Sequence, residues 1–213
     1  MEAIRYDVVV VGGGPGGLAA AQGARLAGAA SVLVLERENR LGGILNQCVH
    51  DGFGLVRYRE ALTGPEYAQR AREEARSAGA DLMTGAMVTG LTRDRTLTAV
   101  TRRGLLTCQA GAVVLATGCR ERTRGAIAIP GTRPAGVYTA GTAQNLMNTK
   151  NLLVGRRVVV LGSGDIGLIM ARRMTLEGAK VLCVAEQRPA PGWRATCASA
   201  WTTLASRCFS GAR

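Results

Sequence analysis

The sequence predicts an α/β protein of two Rossmann-like domains, in which one strand–turn–helix–strand unit occurs twice with a β-meander between the copies and the second domain is incomplete. Three observations carry the prediction. Residues 8–36 (VVVVGGGPGGLAAAQGARLAGAASVLVLE) and residues 158–186 (VVVLGSGDIGLIMARRMTLEGAKVLCVAE) align without a gap at an offset of 150, with thirteen of 29 positions identical. Each copy runs from an apolar strand into G-x-G-x-x-G, then through a helix to a second apolar strand ending in glutamate. Between the copies lie short alternating segments, MVTGL, LTAVTRR and LLTCQAGAVVLATG, separated by turn residues.

Taken in chain order, Gly12 lets the chain turn off its strand, Gly14 lets backbone N–H groups approach a pyrophosphate, and Gly17 lets the helix lie close to the sheet. The helix points its positive end and its unpaired amides at the phosphates. Glu36, at the tip of the next strand, is placed to accept hydrogen bonds from ribose hydroxyls. Gly162, Gly164, Gly167 and Glu186 repeat these roles, so the sequence predicts two Rossmann-like dinucleotide sites. After Gly64-Pro65 a charged surface helix is expected over Glu66–Ser77, ended by Gly79. The meander leads into an expected buried strand from Ala112 to Ala116, closed by Thr117-Gly118. Arg120–Pro134 reads as a crossing loop, and GVYTAG and TAQNLMN as a strand and a short helix. The expected division is a first nucleotide domain over 1–150, the start of a second over 151–192, and a tail over 193–213.

Composition narrows the function classes. The net charge of +12 is almost all arginine, since lysine occurs only at Lys150 and Lys180. The arginines are spread along the chain, aromatics make up 4%, and no nucleic-acid motif is present, so the charge reads as solvated surface with some attraction for anionic cofactors rather than a nucleic-acid site. The apolar run Val8–Val11 leads straight into glycines, unlike a signal peptide, and no apolar stretch is long enough to span a bilayer. Six cysteines without a C-x-x-C pair read as reduced thiols of a cytoplasmic protein, and metal-ligand spacing is absent.

The order of first fingerprint, GG after the acid, ATG, GVYTAG and second fingerprint resembles the pyridine nucleotide-disulfide oxidoreductase superfamily. Within it, GGILNQCVHDGFGL, LTGPEYA, GCRERTRGAIAIPGTRPAGVYTAGTAQ and LGSGDIGLIMARR resemble FAD-dependent oxidoreductases found beside glycerol-3-phosphate dehydrogenases, and the FAD- and NAD-binding subunits of sarcosine-oxidase-like, amine or opine dehydrogenases. The resemblance covers about residues 5–192. It implies FAD on Gly12, Gly14, Gly16, Gly17, Glu36, Arg37, Gly42, Gly43, Thr117 and Gly118, and NAD(H) on Gly162, Gly164, Asp165, Ile166, Gly167 and Glu186. Glu186 suits a 2′-hydroxyl and repels a 2′-phosphate, which favours NAD(H) over NADP(H). Disulfide reductases of the superfamily carry two cysteines with four residues between them after the GG, whereas GGILNQC holds Cys48 alone, which excludes a dithiol relay. Cys48 and His50 are the candidate side chains near the chemistry, each with a structural alternative: a small buried hydrophobe for Cys48, a hydrogen-bonded loop histidine for His50. Asn46 and Gln47 are candidates for the flavin edge, and Cys119 reads as structural.

The implied reaction is hydride transfer between nicotinamide C4 and flavin N5, with electrons exchanged with a partner dehydrogenase or oxidase subunit or a small acceptor. A flavin monooxygenase or oxidase, and an inactive truncated fragment, stand as alternatives. The fragment reading rests on the tail. The superfamily's further nucleotide-domain strands and its return segment are not found after Pro191, and residues 193–213 show no periodicity and no acidic residue. Re-read one base out of frame with suitably chosen codons, that tail yields a helix–turn–strand pattern, so it is expected to be a frameshifted, unstructured end of a truncated chain.

Overall fold

The computed structural model describes residues 3–186 and 208–210. Contacts divide the chain into two compact units, the first ending at Cys119 and the second beginning at Arg120. Both are α/β and each contains one copy of the repeated fingerprint, so the chain holds two Rossmann-like units with a β-meander in the first.

The first unit is built on a six-stranded sheet of β1 (Ile4–Val11), β2 (Val32–Glu36), β3 (Asp81–Thr84), β4 (Ala86–Leu91), β5 (Thr96–Thr101) and β6 (Gly104–Leu115), in the order β3-β2-β1-β6-β5-β4. β3, β2, β1 and β6 are parallel, whereas β5 pairs antiparallel with both β6 and β4. Apolar residues alternate between two cores. Val10, Val32 and Val34 face Leu18 and Ala21 of α1 (Pro15–Leu26) and Ala71 and Ala75 of α2 (Gly64–Ser77). Val9, Leu33 and Leu35 face Ala86, Leu97, Ala99, Cys108 and Ala110 of the meander. All five residues of β2 are therefore buried, which explains its unbroken apolar run VLVLE.

β6 does two jobs that the sequence suggested were separate. Its first half is the third meander strand, paired to β5 through Thr96↔Gln109, and its second half is the parallel neighbour of β1 through Val11↔Leu115. Beyond Gln109 only β1 flanks it among the described residues, so Ala112 is exposed and Leu115 is 65% exposed, contrary to the buried strand expected over Ala112–Ala116. β3 was not anticipated, being four residues at a sheet edge with too little sequence to show a period. The expected helix Glu66–Ser77 begins two residues earlier, because Thr63 is its N-cap and Gly64 and Pro65 belong to its first turn.

The second unit contains α3 (Ala140–Lys150), β7 (Arg157–Leu161), α4 (Asp165–Leu176), β8 (Lys180–Glu186) and β9 (Cys208–Ser210), with parallel sheet order β7-β8-β9. Ala143 and Met147 of α3 pack with Met170 and Met174 of α4, which joins α3 to the second fingerprint and places the division earlier than the one expected after residue 150. GVYTAG is not a strand. Val137 and Tyr138 are exposed, and Thr139 caps α3, its Oγ1 accepting from the Thr142 N–H at 3.4 Å. The expected unstructured tail lies outside the described residues except for Cys208–Ser210, which pairs as a strand with Val184–Glu186. No described helix is long and apolar enough to cross a membrane.

Candidate functional site

In the first unit, β1 ends in a turn that only glycine fits. Gly12 has φ +105°, and a Cβ there would lie 2.3 Å from the Ala116 carbonyl oxygen at the end of β6. Gly17 brings α1 against that turn, since a Cβ on it would fall 1.8 Å from the Gly12 oxygen. Gly14 and Gly16 differ. Gly14 has an ordinary φ of −74° with only Gly43 Cα, at 3.9 Å, near its Cβ position, and Gly16 has nothing within 4 Å. Protein packing does not require glycine at either position. The open space they leave lies at the start of α1, whose first turn has neither a side-chain cap nor an acidic residue, and that combination fits a bound pyrophosphate.

Gly42 and Gly43, with φ of +112° and +54°, turn the chain back onto this helix start: the Gly42 N–H donates to the Gly13 oxygen at 2.8 Å, and a Cβ on Gly43 would sit 3.0 Å from Gly14 Cα. Glu36 is 7% exposed; its Oε2 accepts from the Gly13 N–H at 2.7 Å and its Oε1 from the Glu38 N–H at 2.8 Å. A carboxylate has about four lone-pair sites, so these two backbone donors leave acceptor capacity on Glu36. Arg37 is exposed, with Nε 3.5 Å from Glu38 Oε1, and Thr117 and Gly118 lie exposed just past β6.

The second unit repeats the arrangement. Gly162 has φ +100°, a Cβ on Gly167 would lie 2.5 Å from the Gly162 oxygen, and Gly164 has open space around its Cβ position. The Gly162 N–H donates to Ala185 at 2.8 Å, as that of Gly12 does to Leu35. Asp165 occupies the position of Pro15, and Ile166, 40% exposed, that of Gly16. Glu186 Oε2 accepts from both the backbone N–H of Ser163 at 2.8 Å and its hydroxyl at 2.9 Å. One difference is plain: no described protein atom lies within 4 Å of a Cβ on Gly162, where the equivalent position in the first unit meets the end of β6.

The remaining candidates belong to the segment after Gly43. Cys48 is buried, its thiol donates to the Ile44 oxygen at 3.3 Å, and burial pushes its pKa up, so the structure supports the small buried hydrophobe rather than a thiolate. Gly64 packs on it, a Cβ there falling 2.8 Å from Cys48 Cβ. His50 has Nδ1 3.0 Å from the Asp51 oxygen and its ring 5.0 Å from that of Phe53. Asn46 donates to the Leu41 oxygen at 2.9 Å and lies over Gly42, which gives it a place in the turn itself, and Gln47 is buried. Cys119 is exposed, contrary to its structural reading. Ser163 and Gly13, which hold the two glutamates, were not singled out by the sequence; their signal was their shared position directly after the first fingerprint glycine. Among the described residues no group of three or more metal-ligating side chains gathers.

The sequence profile of the family described as pyridine nucleotide-disulphide oxidoreductase matches residues 6–205. The A subunit of opine oxidase from Agrobacterium tumefaciens (strain Ach5) is 32% identical over 197 residues, covering 87% of this chain and 38% of the relative. The alpha subunit of sarcosine oxidase from Rhizobium meliloti (strain 1021) is 27% identical over 87% of this chain and 19% of its own length. The chain thus spans well under half of these curated relatives. Two solved structures share the fold: thioredoxin reductase of Lactococcus lactis (TM-score 0.66, 20% identity, 96% of this chain and 63% of that one) and L-proline dehydrogenase of P. horikoshii (TM-score 0.65, 20% identity, 91% and 38%). With two dinucleotide cradles built on one repeated fingerprint and a family match across nearly the whole chain, this protein belongs to the pyridine nucleotide-disulphide oxidoreductase family.

Proposed function

We propose that the chain is the nucleotide-binding part of an FAD-dependent oxidoreductase that passes hydride between NAD(H) and a flavin, and exchanges electrons with a partner subunit or small acceptor. The observation that carries this is the doubled cradle: two helix starts with space reserved by Gly14, Gly16 and Gly164, each beside a glutamate held by the residue after the first fingerprint glycine. FAD, when bound, supplies the two-electron redox chemistry. The chain's own residues bind and orient. Gly14, Gly16, Gly42 and Gly43 bring backbone amides to the FAD pyrophosphate, Glu36 takes a ribose, Arg37, Thr117 and Gly118 border the same site, and Gly164, Asp165, Ile166, Gly167 and Glu186 form the NAD(H) site. No nucleophilic side chain is required, in keeping with the buried, raised-pKa Cys48. A partner is supported by the relatives that are themselves named as subunits, those of opine oxidase and sarcosine oxidase. Cytoplasmic placement belongs to the same reading, which rests on a sequence of six cysteines without a C-x-x-C pair.

Reconstitution of the purified chain with FAD, followed by gel filtration and a visible spectrum, tests the first site. Retained flavin bands are expected; a colourless protein after reconstitution overturns the FAD reading. Anaerobic addition of NADH to the flavin-loaded protein should then bleach those bands faster than NADPH does, and oxygen uptake with NADH alone at the rate of bleaching would favour an oxidase or monooxygenase instead.

A further inference from the structure

The outer face of the meander carries an apolar row that the core of the first unit does not use. Ala86, Leu97, Ala99, Cys108 and Ala110 fill the inner face, so the residues that alternate with them point outward. The register sets Met87 of β4 opposite Val100 of β5, and Val100 opposite Leu105 of β6. These three neighbours across adjacent strands are 54%, 47% and 58% exposed. The next outward row is polar, with Thr98 between Gly90 and Thr107. Val100 and Leu105 also lie beside the β5–β6 turn, whose two residues are the exposed Arg102 and Arg103. That turn is held in place: the Thr101 hydroxyl accepts from the Arg103 N–H at 3.1 Å and donates to the Gly104 oxygen at 2.9 Å. Arg102 donates to the neutral Asn39 side chain at 2.6 Å, and among the described residues neither arginine is in an ion pair.

We infer that this row and the arginine pair beside it form a docking surface for an anionic lipid bilayer. Shallow burial of exposed apolar side chains and attraction of arginines to anionic headgroups act together at such an interface. Charge and size select the occupant. A second copy of this chain, also at +12, would set arginine against arginine. Three side chains in a single row fall far short of the ~800 Å² per partner that a stable protein interface buries. A bilayer needs only that row to enter its headgroup boundary, while its charge meets the arginines around it. The other arginines, spread along the chain, add attraction without orientation. The row and the turn supply the orientation.

The test is co-sedimentation of the full chain with vesicles of phosphatidylglycerol and phosphatidylcholine in equal parts, and with vesicles of phosphatidylcholine alone, at low and high salt. Binding to the anionic vesicles alone is expected, and salt should weaken it. Arg102→Ala combined with Arg103→Ala should weaken it on the order of 20-fold. Arg93→Ala combined with Arg95→Ala removes the same charge from the β4–β5 turn, at the other end of these strands, and should leave binding nearly unchanged. Met87→Thr, Val100→Thr and Leu105→Thr together keep β-forming residues on the strands and should weaken binding at least about tenfold. Circular dichroism melts check the fold of each variant, and Leu105→Thr alone replaces the triple variant should that one melt early. Equal losses from the two arginine pairs would assign binding to net charge and overturn the surface, as would undiminished binding by the threonine variant. Absence of vesicle binding overturns the proposal outright. Retention on polyglutamate beads would then place an acidic protein on this face, and a lipid-free dimer split by the threonine variant would place a second copy there.

Discussion

Gly16 and Gly17 are neighbours in α1 and are glycine for different reasons. A Cβ on Gly17 would collide with the Gly12 oxygen at 1.8 Å, whereas one on Gly16 meets nothing within 4 Å. Gly17→Val should therefore destabilise the fold itself, by about 3 kcal/mol or more in a chemical-denaturation series. Gly16→Ala should leave the apo protein as stable, or more stable by about 0.5–1 kcal/mol through the lost glycine entropy, yet weaken retention of FAD on gel filtration. Equal FAD retention in Gly16→Ala and wild type would remove the argument that this space belongs to a ligand. A second residue-scale expectation concerns Tyr6, whose hydroxyl donates to Asp81 Oδ2 at 2.9 Å, tying β1 to β3. Burial first, and the Asp81 bond second, push its pKa up to about 12 from 10.0. The folded state favours the neutral phenol, so its stabilisation is full below pH 10 and is lost as pH rises toward 12. Tyr6→Phe should cost about 1 kcal/mol or less at neutral pH, and the gap between variant and wild type in urea melts should close over that alkaline window; a gap constant through it would refute the link.

At the scale of elements, α2 shows how a cap turns a weakly apolar segment into a structural helix. Its sequence EYAQRAREEARS offers mainly Ala68, Ala71 and Ala75 to the interior, and those small side chains let it lie close over α1. The start is fixed by a capping box: the Thr63 N–H donates to Glu66 Oε2 at 2.7 Å, and the Glu66 N–H donates to Thr63 Oγ1. Hydrogen bonds from Thr63 hold the Glu66 carboxyl below the usual range, so the support is present at neutral pH and fades as pH falls through that lowered value. Thr63→Ala should cost about 1 kcal/mol and speed amide hydrogen exchange in the first turn of α2 ahead of the rest of the helix. Unchanged exchange there would mean that Gly64-Pro65 alone sets the boundary. In the second unit, Glu121 plays a comparable part for α3, accepting from the Gly141 N–H at 2.7 Å and from the Thr139 hydroxyl at 2.6 Å, a tie across eighteen or more residues that helix-start signals do not reveal.

At the scale of the whole molecule, the two units are unequal. In the first unit β1 and β2 are covered on one face by α1 and α2 and on the other by residues of the meander strands. In the second, Val158, Val160, Val181 and Val184 face the α3 and α4 side, while Val159 and Leu161 on the opposite face of β7 are 59% and 65% exposed. Among the described residues β7 also has only β8 as a neighbour. A parallel sheet open on a face and an edge invites association. Replacing both Val159 and Leu161 by threonine should lower light scattering of the purified chain on warming while leaving the circular dichroism of the folded state unchanged; scattering that is unaltered would place the association surface elsewhere.

The duplication, the two cradles and the acid at each strand tip were legible in the sequence, because they rest on local geometry: a turn needing positive φ at Gly12 and Gly162, a helix lying too close to that turn for a Cβ at Gly17 and Gly167, and a short apolar strand on either side. Local rules also located the meander and α2. Only the tertiary structure decided that β6 serves both the meander and the parallel sheet, that GVYTAG is a capped loop rather than a strand, and that α3 belongs with α4. Those outcomes depend on which segments find partners, and apolar alternation is the same whether a strand gains one neighbour or two. The hold of Ser163 on Glu186 was hidden for a related reason: a hydroxyl 23 residues from its acceptor announces nothing in sequence until the parallel pairing of β7 with β8 brings the two together.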